Sequence, residues 1–168
     1  MKVVLALGSN IGRRFDTLQG AVDALFDAPG LEFVALSPVY ETDPVGGPPD
    51  QRAYFNAVVV GRTMTLGPRA ILERALGVET AFGRVREEPW GPRTLDVDVI
   101  MVGDLMSDDP ELTLPHPLAH ERAFVLVPWA QADPGAVLPG RGSVAGLLAD
   151  LDQSGVRLRA DLALQPPG

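Results

Sequence analysis

The sequence predicts an α+β fold: a ferredoxin-like antiparallel sheet with helices packed on it, plus a small C-terminal extension. Two observations carry this. Hydrophobic periodicity spells β-α-β twice in succession, and Gly8-Ser9-Asn10-Ile11-Gly12, where the first strand turns, is not a dinucleotide fingerprint. The second observation disfavours the main competing architecture, a doubly wound parallel sheet.

The elements follow in order. Residues 2–8 are short and apolar and end at Gly8-Ser9-Asn10, as a buried strand does. Residues 15–28 carry Phe15, Leu18, Val22, Leu25 and Phe26 at helical spacing and stop at Pro29-Gly30. Residues 31–41 alternate and predict one second strand. Residues 42–50 hold three prolines and two glycines and read as a loop. In residues 53–63, Tyr54, Asn56, Val58 and Val60 share one face of a third strand, and Phe55, Ala57 and Val59 the other. Pro68 opens a helix at a position that tolerates its missing N–H, and Ile71, Leu72, Ala75 and Leu76 form its apolar stripe. Residues 83–94 form a loop rich in Arg, Glu, Pro and Gly, followed by a fourth strand over 95–102. Pro115-His116-Pro117 is a rigid turn before a helical segment around 121–129. A last amphipathic helix covers about 143–152, and the tail from Gln165 frays. No linker or internal repeat divides the chain. It reads as a single domain over 1–168, with a core at about 3–134 and an extension at 135–160.

Composition narrows the function. The chain has 168 residues, 46% of them hydrophobic and 21% charged, which suits one globular domain. The net charge of −8 argues against tracking nucleic-acid phosphates. No apolar run is long enough to span a bilayer, so no membrane role is expected. Cysteine is absent, which removes disulfides, thiolate metal sites and a cysteine nucleophile. A cytoplasmic protein fits. Lys2 is the only lysine; every other base is arginine, and Arg84, Arg86, Arg93 and Arg122 flank the segments that carry chemistry. Arginine binds phosphate oxygens through a planar fork, so this distribution points to a small phosphorylated ligand.

The sharpest signal is Asp96-Val97-Asp98. Residues i and i+2 of a strand project from one face. Two carboxylates so placed repel unless a cation neutralises them, and magnesium takes carboxylate oxygens together with water and phosphate. The plain alternative is a solvated strand edge. The arginine-rich segment just upstream favours the metal. In Trp90-Gly91-Pro92-Arg93, Gly-Pro stiffens the approach and aims Arg93, while Trp90 reads equally as core packing. Arg84 and Arg86 alone read as a solvated run, with Glu87 and Glu88 beside them. His116 is held between two prolines, and near its ordinary pKa of about 6.5 it serves as a phosphate donor or an acid. Arg122 reaches phosphate and Phe124 stacks on a flat ring. Tyr54 and Asn56 share a strand face that either is half-buried packing or holds a heterocycle, ring on ring and amide on edge.

Seven pieces in a fixed order give the chain a family resemblance: Leu7-Gly8-Ser9-Asn10; Ser37 to Tyr40 with Thr42; Tyr54-Phe55-Asn56-Ala57; Gly83-Arg84-Val85-Arg86; Trp90 to Asp98; Pro115-His116-Pro117; and Glu121-Arg122-Ala123-Phe124. They cover roughly residues 3–134. The chain resembles the 6-hydroxymethyl-7,8-dihydropterin pyrophosphokinases of folate biosynthesis. The resemblance implies a ferredoxin-like fold and a monomer. It implies transfer of a pyrophosphoryl group from ATP to the pterin hydroxymethyl oxygen, releasing AMP. It also implies that Asp96 and Asp98 hold two magnesium ions and that these two with Arg84 and Arg93 form the catalytic set. Glu79, Arg84, Arg86, Trp90, Arg93, His116 and Arg122 are implied at ATP. Thr42, Val45, Tyr54, Asn56, Trp90 and Phe124 are implied at the pterin. Three positions depart from the usual pattern: Glu87-Glu88-Pro89 where bases are common, Leu118 in place of an arginine, and Asp43 in place of a neutral residue. They imply a weaker or more salt-sensitive grip on ATP.

Overall fold

The computed structural model describes residues 1–44, 52–83 and 95–168. The chain runs β1 (Lys2–Ser9), α1 (Arg14–Leu25), β2 (Glu32–Leu36), β3 (Tyr40–Thr42), β4 (Tyr54–Arg62), α2 (Pro68–Ala81) and β5 (Asp96–Val102). A hairpin follows, β6 (Ser107–Asp109) and β7 (Leu112–Leu114), then a 3-10 turn at Ala119–Glu121 and α3 (Ala123–Ala132). The C-terminal part holds β8 (Val137–Leu138), β9 (Gly142–Ser143), α4 (Val144–Leu148) and β10 (Val156–Leu158).

The main sheet has the order β10-β3-β4-β1-β5, with β2 also on β4, and every pairing is antiparallel. Counting β2 and β3 as one broken strand, this is the ferredoxin-like order expected from two β-α-β units. β1 lies at the centre and is covered on both faces, which is why it reads as an unbroken apolar run. Val3, Leu5 and Leu7 face α1 and α2 in a core with Leu18, Leu25, Ile71 and Ala75. Val4 and Ala6 face the opposite way, into a second core with Val58, Val60, Ile100, Leu126 and Trp129. The helices of the two β-α-β units thus share one face, and α3 and α4 cover the other.

The expected strand over 31–41 is two strands. Pro38 has no N–H for the ladder, and Ser37 turns inward instead. Its hydroxyl accepts from the Val58 amide at 2.9 Å and donates to the Pro38 carbonyl at 2.8 Å. β2 and β3 consequently pair with opposite ends of the same strand, β4. The expected helix over 143–152 is one short turn at 144–148, capped by the Ser143 hydroxyl, which accepts from Gly146 N at 3.0 Å. Beyond β10, Leu162 and Leu164 pack on the first core and Gln165 N donates to Gln19 at 2.8 Å. Among the described residues, no helix is long and apolar enough to cross a membrane.

Candidate active site

One cavity of about 960 Å³ opens at the end of the sheet, on the face that carries α3. It lies at the upper end of the ~300–1,000 Å³ typical of ligand pockets, roomy for a single small molecule. Its floor is a row of residues running straight across three strands. Asp96 of β5 lies opposite Gly8 of β1, and Gly8 lies opposite Asn56 of β4. In the next row Asp98 lies opposite Ala6. Asp96 and Asp98 alternate with buried Val97 and Val99, so both carboxylates line the cavity while the intervening side chains enter the first core. At the usual strand spacing, the acidic end of the row and its amide end are about 10 Å apart.

At the amide end, Thr42 and Asn56 are buried. The Thr42 hydroxyl donates to Asn56 Oδ1, and Asn56 Nδ2 donates to the Leu7 carbonyl at 3.3 Å. These two bonds fix which way the amide faces. They leave one N–H and one oxygen lone pair for a ligand edge. Tyr54 and Phe124 line the same cavity from β4 and from the first turn of α3. The start of β4 is pinned from below: Asn10 Nδ2 donates to the Arg52 carbonyl at 3.2 Å, and Arg14 donates to the Ala53 carbonyl at 2.8 Å. Gly8 is a residue that sequence reasoning left as a turn. A Cβ there would stand 2.8 Å from Asn56 Nδ2 and 3.5 Å from the Tyr54 ring, so only glycine leaves the floor open.

His116 and Arg122 also line the cavity, and the Arg122 guanidinium sits 5.5 Å from the centre of the Phe124 ring. The His116 amide donates to the Ile100 carbonyl at 2.8 Å, and Leu118 N donates to His116 Nδ1 at 3.2 Å. Nδ1 is therefore an acceptor, and the proton of the neutral ring is on Nε2. Burial, reinforced by the Arg122 charge, pushes the imidazole pKa down to about 4. Of the two roles open to His116 in the sequence, the structure favours a neutral donor at pH 7.

A pH dependence follows. Between about pH 6.5 and 4 the unfolded chain binds a proton at His116 and the folded chain does not. Stability from this group is complete above 6.5 and is lost as pH falls toward 4. An NMR titration of the ring is expected to give a midpoint near 4, and His116→Gln is expected to flatten the acid limb of the stability curve. A midpoint near 6.5 would contradict this assignment.

Glu79 is not among the residues lining the cavity. It lies on the buried side of α2, and its carboxylate accepts from Val97 N at 2.8 Å, between the two aspartates. Val45, Arg84, Arg86, Trp90 and Arg93, together with Glu87 and Glu88, lie outside the described residues. Leu118 and Asp43 both line the cavity. Among the described residues, no group of three or more His, Cys, Asp or Glu side chains is placed to hold a metal. Among the described residues, Asp96 and Asp98 are the carboxylates on the floor, while Asp43, Glu121 and Asp152 line the cavity elsewhere. The floor pair fits a magnesium ion whose remaining ligands are water and phosphate, and not a closed protein cage.

Fold and cavity define a ferredoxin-like α+β protein with a small-molecule site at one end of its sheet. The chain belongs to the 7,8-dihydro-6-hydroxymethylpterin-pyrophosphokinase (HPPK) family, whose model matches residues 4–134. It is 45% identical to the 2-amino-4-hydroxy-6-hydroxymethyldihydropteridine pyrophosphokinase of Mycobacterium tuberculosis, over 94% of this chain and 89% of the relative. It is 45% identical to the protein of that name from Methylorubrum extorquens, over 92% of this chain and 96% of the relative. Among solved structures, wild-type Plasmodium falciparum HPPK-DHPS shares the fold, with a TM-score of 0.68 at 14% identity over 88% of this chain. This chain spans 44% of that longer protein.

Proposed function

We propose that this protein transfers the pyrophosphoryl group of ATP to the hydroxymethyl oxygen of 6-hydroxymethyl-7,8-dihydropterin, in folate biosynthesis. The observation that carries the reading is the transverse row Asp96–Gly8–Asn56 in one cavity. A carboxylate pair suited to a magnesium–triphosphate lies at one end, and a fixed amide suited to a heterocycle edge lies at the other. Family membership supports it.

In the reaction, the hydroxymethyl oxygen bonds to the β-phosphorus, the bridge from that phosphorus to the α-phosphate oxygen breaks, and AMP leaves with the bridging oxygen. The hydroxymethyl proton is lost. Such transfers need in-line positioning and charge neutralisation more than a protein nucleophile. Asp96 and Asp98 hold the magnesium, two ions in this reading. Bound there, magnesium neutralises phosphate charge and orients the triphosphate. Neutral His116 donates from Nε2 to a phosphate oxygen without bringing a proton into the titrating range, and Arg122 supplies fixed positive charge. Arg84, Arg86, Arg93 and Trp90 are assigned to ATP, with Arg84 and Arg93 in the catalytic set. Asn56 and Thr42 read the pterin edge with the backbone near Val45, and Tyr54, Phe124 and Trp90 enclose its ring. Glu79 acts at one remove, by holding the strand between the aspartates. The chain works as one domain over residues 1–168, as a cytoplasmic monomer.

The test is product analysis. ATP, magnesium and the dihydropterin are expected to give AMP and the pterin diphosphate in equal amounts. ADP with a pterin monophosphate would overturn the assignment, as would no turnover. A nucleotidyltransferase would also use an Asp-x-Asp pair, but it would release pyrophosphate and leave Tyr54, Asn56 and Phe124 without a role.

A further inference from the structure

The family model matches residues 4–134, and one wall of the cavity comes from beyond that span, in the stretch that the relatives' similarity, over nine-tenths of the chain, also covers. Asp152, Ser154, Gly155 and Val156 line the cavity beside Thr42 and Asp43. They are brought there by β10, which extends the sheet past β3 in a defined register: Val156 opposite Thr42, Arg157 opposite Glu41, Leu158 opposite Tyr40. The ladder continues at both ends. Asp43 N donates to the Gly155 carbonyl at 3.2 Å, and Arg159 N donates to the Val39 carbonyl at 2.9 Å. Charges run along the same seam. Arg157 bonds Glu41 at 3.3 Å and Asp43 at 3.1 Å, and Arg159 bonds Glu41 at 2.8 Å. Burial alone would raise the Glu41 carboxyl, but bonds from Arg157 and Arg159 outweigh it and hold the group below its ordinary value.

Thr42 is therefore clamped from two sides, by β4 and by β10. This matters because the Asn56 amide is held between two groups: the Leu7 carbonyl, an acceptor only, takes its Nδ2, and the Thr42 hydroxyl seats its Oδ1. An amide released at Oδ1 swings about its remaining bond to Leu7 and no longer presents its donor and acceptor in place to a ligand edge. We infer that β10 is a positioning and specificity element of the heterocycle site. It fixes Thr42, through Thr42 it seats the Oδ1 end of the Asn56 amide, and Val156 closes the site beside that pair. The inference deepens the function proposed above and rests on it.

The backbone ladder, more than the arginines, is the part to perturb, because exposed ion pairs contribute little. Arg157→Pro places a residue with no N–H at the centre of β10. Val156→Trp keeps the ladder and fills the wall. KM is measured for each substrate, with a thermal melt as the folding control. Both variants are expected to raise KM for the dihydropterin by about tenfold or more and to leave KM for ATP within about twofold, the split expected when binding of one substrate alone is lost. A dihydropterin KM within twofold of the parent in both folded variants overturns the inference. So does a parallel rise in both KM values, which a purely structural strand would produce. Should Arg157→Pro not fold, Val156→Trp decides alone. An unmodified protein that makes no AMP defeats the proposed function instead. Direct binding of the dihydropterin to parent and Val156→Trp, read by fluorescence, still judges β10 in that event.

Discussion

Asp96→Ala and Asp98→Ala are each expected to lower kcat by about a thousandfold or more, roughly 4 kcal/mol of transition-state stabilisation. The two carboxylates lie on one face of β5, both half-buried, and both line the cavity. A pair that only held the fold together would cost stability on truncation to alanine and leave the chemistry of the folded protein intact. The functional reading predicts the reverse: catalysis lost and the fold kept, with Tm moving by only a few degrees. Asp98→Asn sharpens the test. It keeps shape and polarity but loses the charge that binds a hard divalent ion, and it is expected to fall nearly as far as alanine. Retention of full activity by either alanine variant would remove the metal assignment.

Gly8→Val is expected to raise KM for the dihydropterin by about a hundredfold or more, or to abolish measurable binding, while ATP still binds. A side chain at position 8 begins 2.8 Å from Asn56 Nδ2. Asn56 has little room to give way. It is buried, short, and tied at both ends of its amide, to Thr42 and to Leu7. Displacing it breaks two hydrogen bonds inside the site and pushes on Tyr54, so a small overlap becomes a large loss, near 3 kcal/mol for a hundredfold change. Gly8→Ala is expected to act in the same direction more weakly. Affinity for ATP reports the acidic end of the floor, and magnesium-dependent ATP binding in the valine variant separates a local block from general unfolding. Dihydropterin affinity unchanged in Gly8→Val would mean that the heterocycle does not lie over this row.

Much of this was legible in the chain, for physical reasons that differ residue by residue. β1 was plain because burial on both faces demands an unbroken apolar run. Asp96 and Asp98 were plain because strand alternation converts a spacing of two into a shared face. Tyr54 and Asn56 shared a face by the same rule, although nothing in the pattern separated packing from recognition. What escaped was set by contacts distant in sequence. β10 is three residues long and exists because β3 offers it an edge, so it has no periodicity of its own to read. Gly8 looked like turn punctuation, and its importance lies in what stands 2.8 Å from its missing side chain. Ser37 and Pro38 carried a usable signal: a proline within an alternating run argues against one continuous strand. The low pKa of His116 needed the burial and the neighbouring Arg122, which no local pattern supplies. The resemblance implies Glu79 at the nucleotide, and the structure adds a contact that no local pattern announces: its carboxylate accepts from the backbone between the aspartates.

The central claim is that one cavity holds both substrates along a single row of the sheet, triphosphate over Asp96 and Asp98 and pterin over Asn56. A crystal structure with magnesium, a non-hydrolysable ATP analogue and 6-hydroxymethyl-7,8-dihydropterin tests it most directly. The account predicts metal on both carboxylates, the pterin ring between Tyr54 and Phe124 with its edge on the Asn56 amide, and the hydroxymethyl group directed toward the phosphates. Metal bound away from Asp96 and Asp98, or a pterin seated off the Asp96–Gly8–Asn56 row, would contradict it.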